Sequence, residues 1–385
     1  MRQYKRKTLI NIVAAVIILF LCGCSASHEK EQEMKKKKET VKIGVILPFS
    51  GPQGYLAEEE KEAIELAVRE INSKNSGAII QTVYADSKDN PSEAAIIADN
   101  LLKGDSVSAF FTSPTPISQG VLPLATKNKK LIAMLCTDPK IQTMSPYAFR
   151  LYQNMADEAD QLLEFYRETG KGKKIVILYL NHSDIIDEVS HYLIPGFMQK
   201  GINVVYYEPY ELKEKEFQSK IDRLKHSGAN SVIILGFGPE YLPILQELSH
   251  QKLLGKIEVA GGWGFLAANT LPAALTEGII VASPQYVFQK NEKAKAFEEN
   301  FVQVYGHAPI FDAASAYDAM NIFAEGLIQG LVEKHGNADT VSFIITNHKY
   351  SGITGDISVD NEGGLSVPMG LGIIKKGRIV PYNKQ

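Results

Sequence analysis

Short apolar runs of strand length alternate with amphipathic stretches of helix length along the chain after its first 40 residues. The run KIGVIL, residues 42–47, leads into the turn cluster SGPQGY. In the stretch that follows, the apolar residues Ile64, Ala67, Val68 and Ile71 recur at the spacing of one helix face. The pattern therefore predicts a strand, a turn and an amphipathic helix in that order.

The next unit repeats this order and carries a signal for the start of its helix. The strand-like run IIQTVYAD is followed by Asn90, Pro91 and Glu93, which suit an N-cap, the first helical position and the third. The apolar face predicted for this helix consists of Ala94, Ile97, Ala98 and Leu101. Capping and periodicity agree, so we expect a helix from residue 91.

Two series of such units follow one another along the chain. The second series begins with MADEADQLLEFYRETG and continues through the apolar runs KIVILYL, INVVYYE, SVIILG, IEVAG and GIIVAS. Strand-length runs separated by helices predict βαβ units with right-handed crossovers. The fold class is therefore predicted as α/β, with two doubly wound lobes that each contain a parallel sheet. The segment after Pro284 is expected to complete both lobes.

The N-terminus has a different pattern, that of an export segment. Four of the first seven residues, MRQYKRK, are Lys or Arg. The apolar run from Leu9 to Cys22 then spans 14 residues, fewer than the roughly 20 that a membrane-spanning helix needs. The sequence favours a removable signal peptide over a permanent anchor.

The last letters of that run, Leu21-Cys22-Gly23-Cys24, resemble the lipobox of bacterial lipoproteins. The resemblance implies that residues 1–23 are a lipoprotein signal peptide and that Cys24 carries lipid in the mature protein. The alternative is a metal-binding or redox Cys pair, which needs further ligands, and Cys136 is the one other cysteine. Residues 24–40 are expected to form a flexible tether, since their composition is strongly polar.

Composition narrows the function classes. The chain has 385 residues and a formal net charge of −3, without the basic excess of a nucleic-acid-binding protein. The patterns G-x-S-x-G, P-loop, H-E-x-x-H and dinucleotide-binding G-x-G-x-x-G are absent, and the 8 histidines show no metal-ligand spacing. We therefore expect neither an enzyme nor a cofactor or metal site.

An ordered set of short motifs extends over nearly the whole predicted mature chain. They are KIGVILPFSGP with AIELAVREIN, YADSKDNPSEA, VLPLA, TDP followed by PYAFR, KKIVILYL, GFGPE, AYDA and GITGDISVDNEGG. In this order the chain resembles the type I periplasmic solute-binding proteins of ABC importers, in their branched-chain amino acid and amide-binding (leucine-binding-like) branch.

The resemblance implies two lobes joined by three hinge crossings, with a solute held in the cleft between them. The crossings are expected near residues 152–156, 282–286 and 364–367. They divide the chain into lobe one, residues 41–153 plus 285–365, and lobe two, residues 154–284 plus 366–385.

Loops at the carboxyl ends of the predicted strands are the expected binding site, because ligands of open α/β sheets bind there. Hydroxyl groups, among them Ser113 and Thr115, crowd the start of a predicted helix, and Thr137 follows the next strand. Hydroxyls beside free helix N–H groups suit a carboxylate; the alternative is that they only cap the helix. The six loops selected are residues 50–55, 112–118 and 136–139 in lobe one and 180–184, 236–240 and 261–265 in lobe two.

The resemblance assigns roles to three residues of lobe one. Thr115 stands where the family has a serine that holds the ligand's carboxylate, and Thr137 stands where a threonine does the same. Cys136 takes the place of a small residue beside the ligand, which makes it a candidate contact, although a buried core thiol is favoured for its side chain.

Lobe two departs from the family pattern. Amino acid binders of the family hold the ligand's ammonium with an acidic residue where this chain has Trp263, and a second family acid falls near Met155, two residues before Asp157. A desolvated ammonium without a carboxylate is costly, which argues against a free α-amino acid. The pattern favours a carboxylate with an apolar or aromatic body, or a cation held by aromatic faces. Asp184 keeps the amino acid alternative open.

Aromatic residues are expected to form faces of the same cleft. Trp263 lies in GGWGF, where the glycines give the ring little cover, which favours the cleft over the core. Phe237 matches a tyrosine of the family, and Tyr55 and Tyr152 are expected to add further faces.

The function expected from the resemblance is capture of a small carboxylate-bearing solute and its delivery to an ABC permease. The alternative is a sensor lipoprotein that presents its solute to a receptor kinase or chemoreceptor. In both cases the protein is expected to be exported and held at the cell membrane by its lipid, facing the periplasm or the cell exterior.

Overall fold

The computed structural model describes residues 39–51, 54–74, 77–169, 174–238, 240–332, 337–347 and 349–383. The predicted signal peptide, Cys24 and nearly all of the predicted tether lie outside the described residues. Among the described residues, no helix has the length and apolar character to cross a membrane.

The first lobe is built on a five-stranded parallel sheet with the order β2-β1-β3-β4-β5. Its strands are β1 (Glu39–Leu47), β2 (Ala78–Asp86), β3 (Ala109–Thr112), β4 (Leu131–Met134) and β5 (Ala148–Arg150). Helices α1 (Gly54–Ser73), α2 (Pro91–Asn100) and α3 (Thr115–Lys127) connect them.

Local sequence signals explain most of these elements. In α1 the residues Ile64, Ala67 and Ile71 are buried, as the periodicity predicts. The side chain of Asn90 accepts hydrogen bonds from the N–H groups of Ser92 and Glu93, which caps α2.

Strand β1 begins earlier than expected. It takes in Glu39 and Thr40, two residues assigned to the tether, because they pair with Ala78 and Ile79 of β2. Pairing along the neighbouring strand outweighs the polar composition of these two residues.

The second lobe begins with α4 (Met155–Thr169) and continues as alternating strands and helices. Its parallel strands are β6 (Lys174–Leu180), β7 (Asn203–Tyr210), β8 (Ser231–Leu235), β9 (Glu258–Gly261) and β10 (Ile280–Pro284). Its further helices are α5 (Ser183–Asp187), α6 (Ile194–Gln199), α7 (Gln218–His226), α8 (Tyr241–His250) and α9 (Ala273–Thr276). A π-helical segment, Glu188–Leu193, joins α5 to α6.

The chain then returns to the first lobe. Helices α10 (Glu292–Tyr305), α11 (Phe311–Val332) and α12 (Asn337–Thr346) are followed by a small antiparallel sheet of β11 (Lys349–Ser351), β12 (Asp356–Val359) and β13 (Leu365–Ser366). Residues of α10, α11 and the small sheet belong to the same core as β1 and α1.

Strands β14 (Met369–Lys375) and β15 (Arg378–Pro381) complete the second sheet, whose order is β15-β14-β10-β9-β8-β6-β7. The two-lobed α/β class is confirmed, and the second sheet is mixed because β14 and β15 pair antiparallel. The chain re-enters lobe two beside β10, so a short antiparallel hairpin extends the sheet without a crossover helix.

Each lobe has its own core. The first sheet is buried on both faces, with Phe111 in one cluster and Phe110 in another. The second lobe packs around β6, β8 and β10, with Phe265 among its fully buried side chains. Burial on both faces explains why these strands read as continuous apolar runs.

Candidate ligand-binding cleft

A cleft lies between the two lobes, at the carboxyl ends of both parallel sheets. Five of the six loops selected from the sequence contribute residues to its walls. Loop 50–55 does not, although Pro48 and Leu56 on either side of it do. The topology places the cleft there because parallel strands present their carboxyl ends, and the helix N-termini that follow them, at one edge of each sheet.

Hydroxyl groups form the lobe-one wall at the start of α3. The hydroxyl oxygen of Thr115 lies 3.4 Å from that of Thr137, and Thr115 also accepts a hydrogen bond of 3.3 Å from the Thr137 N–H. No side chain caps the N-terminus of α3, whose preceding residue is Pro114. This wall combines two hydroxyls with an uncapped helix start, which suits a negatively charged group.

Two carboxyl groups lie in the same wall. Ser113 donates a hydrogen bond of 2.8 Å to Glu60, and Tyr152 donates one of 2.8 Å to Asp312. Burial raises the pKa of Glu60 well above its usual range, and nearby Asp312 adds to this effect. Burial also raises the pKa of Asp312, against the opposing effect of the Tyr152 hydrogen bond.

Aromatic rings form part of the lobe-two wall. The rings of Phe237 and Trp263 have centroids 5.6 Å apart, and the ring of His182 packs edge-on against Phe237 at 4.9 Å. All three line the cleft. The structure thus places Trp263 and Phe237 where the sequence pattern predicted, on a face open to a ligand.

A pair of buried carboxyl groups lies behind Trp263. Glu158 accepts a 3.1 Å hydrogen bond from the Trp263 backbone N–H, and the side chains of Glu158 and Glu188 are hydrogen-bonded to each other. Gly262 permits this approach, because a Cβ atom there would lie 1.5 Å from Glu158 Oε1. Burial raises the pKa of Glu158 to about 8, and burial together with neighbouring Glu158 raises the pKa of Glu188 well above its usual range.

Asp184 reaches across the cleft from α5. Its carboxylate accepts a hydrogen bond of 3.3 Å from the Thr137 hydroxyl of lobe one. Burial raises the pKa of Asp184, while His182 opposes this shift. The contact links the two walls directly, so it changes whenever the lobes move apart.

The comparisons with known proteins agree with this two-lobed architecture. A family model for periplasmic binding proteins matches residues 40–377 of the chain. The chain belongs to the periplasmic binding protein family. Proteins of this family are solute-binding components of ABC transporters, which implies export and an extracytoplasmic location.

Curated relatives of this periplasmic binding protein extend over most of its length. The leucine-, isoleucine-, valine-, threonine- and alanine-binding protein of Pseudomonas aeruginosa is 23% identical over 341 residues, covering 85% of this chain and 87% of the relative. The Leu/Ile/Val-binding protein of Escherichia coli is 22% identical over 350 residues, covering 85% and 88%. These relatives confirm the type I, branched-chain amino acid branch inferred from the motifs.

Solved structures show the same fold. The branched-chain amino acid transporter substrate-binding protein LivJ of Streptococcus pneumoniae, in complex with isoleucine, has a TM-score of 0.76 and 21% identity, covering 89% of this chain and 98% of that one. A solute-binding protein of an ABC transporter from R. palustris, in complex with 4-hydroxybenzoate, has a TM-score of 0.79 and 22% identity, covering 90% and 96%. Structural neighbours of this binding protein thus include one holding an amino acid and one holding an aromatic acid.

Two of the residues expected at the ligand lie elsewhere in this binding protein. Cys136 is 1% exposed and packs in the core cluster that contains Phe110, away from the cleft wall. Burial raises the pKa of its thiol, with a smaller opposing effect of a hydrogen bond with Ser118. Cys136 lies two residues after the end of β4, and its side chain packs with Met134 on a buried face of the sheet.

Tyr55 lies at the mouth of the cleft with 52% of its surface exposed. Partial burial raises its pKa, and so do Asp312 of lobe one and Glu240 of lobe two. The hydroxyl is therefore near acidic groups of both lobes but outside the cleft lining.

Four carboxyl groups of the lining were missed by the sequence reasoning: Glu60, Glu158, Glu188 and Asp312. Glu158 lies one helical turn after Met155, near which the second acid of the family was expected. The wall in which Trp263 replaces an acid therefore still contains a carboxyl group. A signal was present, because Glu158 falls in the buried stripe of α4 with Leu162 and Phe165.

The buried carboxyls make the stability of the ligand-free protein depend on pH. A raised pKa means that the folded state holds protons that the unfolded chain releases near pH 4 to 5, so stability is full below that range and is lost as pH rises. Because burial raises the pKa of Glu158 to about 8, we expect the free energy of unfolding to fall between about pH 5 and 8. The decrease is up to about 1.4 kcal/mol per pH unit for each retained proton.

Denaturant titration at several pH values measures this slope. Glu158→Gln is expected to reduce it, whereas Glu299→Gln, at an exposed position of α10, is expected to leave it unchanged. Stability that stays constant or rises across this range would contradict the assignment of protonated carboxyls.

Proposed function

We propose that the protein is a lipid-anchored, extracytoplasmic solute-binding protein that encloses a small amino-acid-like solute between its lobes and delivers it to an ABC permease. The observation behind this proposal is the pairing of two unlike regions in one cleft. An uncapped helix start with hydroxyls lies in lobe one, and buried carboxyls lie behind aromatic rings in lobe two.

The carboxylate of the solute is assigned to Thr115 and Thr137. Their hydroxyls lie together at the start of α3, where the helix dipole favours negative charge. Asp184 of lobe two contacts Thr137 with its own carboxylate. This contact supports the assignment, because the Thr137 hydroxyl there donates to a carboxylate oxygen.

The ammonium of the solute is assigned to the acidic side of the cleft. Glu158 and Glu188 lie behind Trp263, so this wall offers carboxyl groups even though the loop itself lacks an acid. An ammonium ion that enters a buried site needs such partners, since an unpaired buried charge is costly. The cleft can therefore pair both charged groups of a zwitterionic amino acid.

Closure of the lobes is the proposed signal to the permease. Thr115 and Thr137 belong to lobe one, whereas Phe237 and Trp263 belong to lobe two. A solute that touches both sets stabilises the closed arrangement through contacts that the open one lacks. The permease can then distinguish loaded from empty protein.

The anchor is proposed from the sequence. Lipid on Cys24 keeps the protein at the membrane, because an acyl anchor buries CH₂ groups worth about 0.8 kcal/mol each. Labelling cells with a tagged fatty acid tests this point. Label that persists in the Cys24→Ser variant would contradict it.

Calorimetry with a defined solute panel tests the ligand proposal. The panel contains the common L-amino acids and 4-hydroxybenzoate, and mass spectrometry of solutes released on unfolding identifies what the purified protein retains. We expect saturable binding of at least one amino acid. A protein that binds no member of the panel and releases no carboxylate-bearing solute would contradict the proposal.

Trp263 provides an optical signal for binding. It is the single tryptophan of the chain, and it lines the cleft beside Phe237. Solute binding with lobe closure is expected to exclude water from the indole and shift its emission to shorter wavelength. Titration by fluorescence, with Trp263→Phe as the silent control, measures this shift. Unchanged emission at a calorimetrically saturating solute concentration would contradict the placement of Trp263 against the ligand.

A further inference from the structure

The Asp, Glu, His, Lys and Arg side chains that line the cleft are nearly all acidic. Its described residues include five carboxyl groups, and His182 is the one basic side chain among them, without any Lys or Arg. The carboxyls come from both walls: Glu60 and Asp312 from lobe one, and Glu158, Asp184 and Glu188 from lobe two. An amino acid with one ammonium and one carboxylate can pair its single cation with only part of this set of carboxyl groups.

Three of these carboxyls also present a buried oxygen atom that receives no hydrogen bond from an N–H or hydroxyl group of the described residues. These atoms are Oε2 of Glu60, Oε1 of Glu158 and Oε1 of Glu188. The side chains are 4%, 2% and 2% exposed, respectively. Buried acceptors without a donor are rare and cost about 1–3 kcal/mol each. Among the described residues, the Glu158 and Glu188 side chains pair with each other in place of such a donor, and Glu60 Oε2 has no donor at all, so a cationic ligand would supply the missing N–H donors to both walls.

The one buried Lys or Arg side chain among the described residues, Arg150, belongs to a different contact network. Arg150 is 2% exposed and donates to the backbone carbonyl of Tyr152. It lies near Asp157 and Asp360 and is not part of the cleft lining. It is therefore engaged outside the cleft and supplies no cationic partner to the carboxyl groups of the lining.

We propose that the solute of this cleft has a net positive charge and carries two cationic groups joined by an apolar chain, as in a basic α-amino acid or a diamine. This inference rests on the proposed function and specifies the solute class for the same site. A basic amino acid and a diamine both carry two cationic groups, but only the amino acid also carries a carboxylate.

The positions of the carboxyls assign a place to each cation. Glu60 and Asp312 lie on the lobe-one side, where burial raises the pKa of Tyr152 and both carboxyl groups add to this effect. The Glu158–Glu188 pair lies behind Trp263 on the lobe-two side. The apolar chain then lies along the rings of Trp263 and Phe237, whose faces also attract a cation. Each cation meets at least two carboxyl groups in this arrangement.

A matched pair of ligands separates this inference from ordinary amino acid binding. L-norleucine has the linear side chain of L-lysine without its terminal ammonium. We expect calorimetry at neutral pH to give L-lysine or L-arginine an affinity at least about 100-fold above that of L-norleucine and L-leucine, which corresponds to about 2.7 kcal/mol. Cadaverine, the diamine without a carboxylate, identifies the source: weaker binding than L-lysine indicates a basic amino acid, and equal or tighter binding indicates a diamine.

Acidic-pair variants and proton release test the site itself. A cation beside Glu158 and Glu188 favours their ionised forms, so L-lysine binding is expected to release protons, seen as a dependence of the binding heat on the buffer. Glu188→Gln is expected to reduce that release and to weaken L-lysine at least tenfold. The exposed control Glu299→Gln is expected to behave as wild type.

The outcomes distinguish the two proposals. Tighter binding of L-leucine, L-norleucine or 4-hydroxybenzoate than of every dicationic solute would overturn this inference and leave the proposed function standing. Absence of binding by the whole panel, including cadaverine, would overturn both. Because the L-lysine to L-norleucine ratio is measured on the wild-type protein, the inference is decided even if Glu188→Gln fails to fold.

Discussion

Replacing Thr115 and Thr137 together by valine is expected to weaken the tightest-binding amino acid of the panel by about 100-fold or more, because each lost hydrogen bond to a charged group is worth about 1.5–3 kcal/mol and about 1.4 kcal/mol is a factor of ten. Valine keeps the shape of threonine and removes the hydroxyl donor. The two hydroxyl oxygens lie 3.4 Å apart at the start of α3, so one carboxylate can contact both.

Calorimetry on the double variant measures this loss. Thr143→Val is the matched control, since Thr143 is exposed and its hydroxyl donates to the Lys140 carbonyl outside the cleft. The unfolding temperature of both variants shows whether the fold is kept. A folded double variant with an affinity within a factor of about three of wild type, which is well under 1 kcal/mol, would refute the assignment of the carboxylate to this wall.

Asp318→Ala is expected to destabilise the first lobe by about 3–5 kcal/mol, because it removes the acceptor of three buried donors and leaves them unpaired. Asp318 lies on α11 and is 6% exposed. Its carboxylate accepts from the Ile353 N–H at 3.0 Å, the Thr354 N–H at 2.8 Å and the Thr354 hydroxyl at 2.7 Å. These bonds hold the turn between β11 and β12 against the helix.

Thermal unfolding measures the effect, which we expect to be a decrease of about 10 °C, since a large domain loses about 2–4 °C per kcal/mol. Asp356→Ala is the matched control, because Asp356 lies exposed in the adjoining β12. A decrease of less than about 2 °C for Asp318→Ala would show that the turn is held by other contacts. Solute affinity provides a second readout, because the segment after this turn leads back to lobe two.

Elements with a local signal were predictable from the sequence. The stripe of α1 and the Asn90 cap of α2 both depend on residues within a few positions of one another. The antiparallel pairing of β14 with β10 was not predictable from the sequence. It joins Met369 to Pro284, which are far apart along the chain, and hydrophobic periodicity reports only on neighbouring positions. The early start of β1 is of the same kind, since it depends on pairing with β2.

The cleft was predictable only in part. The rule that ligands bind at the carboxyl ends of strands located Thr115, Thr137 and Trp263 correctly at the cleft. The acidic residues Glu60 and Glu158 were missed, because both lie in helices whose many other carboxylates are solvated. Their membership of a buried helical stripe distinguishes them from those neighbours.

The sequence by itself determined the two α/β lobes, the family and the loops that meet at the cleft, because periodicity, capping and motif order are local properties of the chain. The tertiary structure decided the chemistry of the cleft. Whether a glutamate is solvated or buried depends on what the opposite lobe and the neighbouring loops place over it. The Glu158–Glu188 pair, covered by the Gly262–Trp263 loop, shows this directly. A carboxyl's environment, and hence its charge, is set by residues distant in sequence.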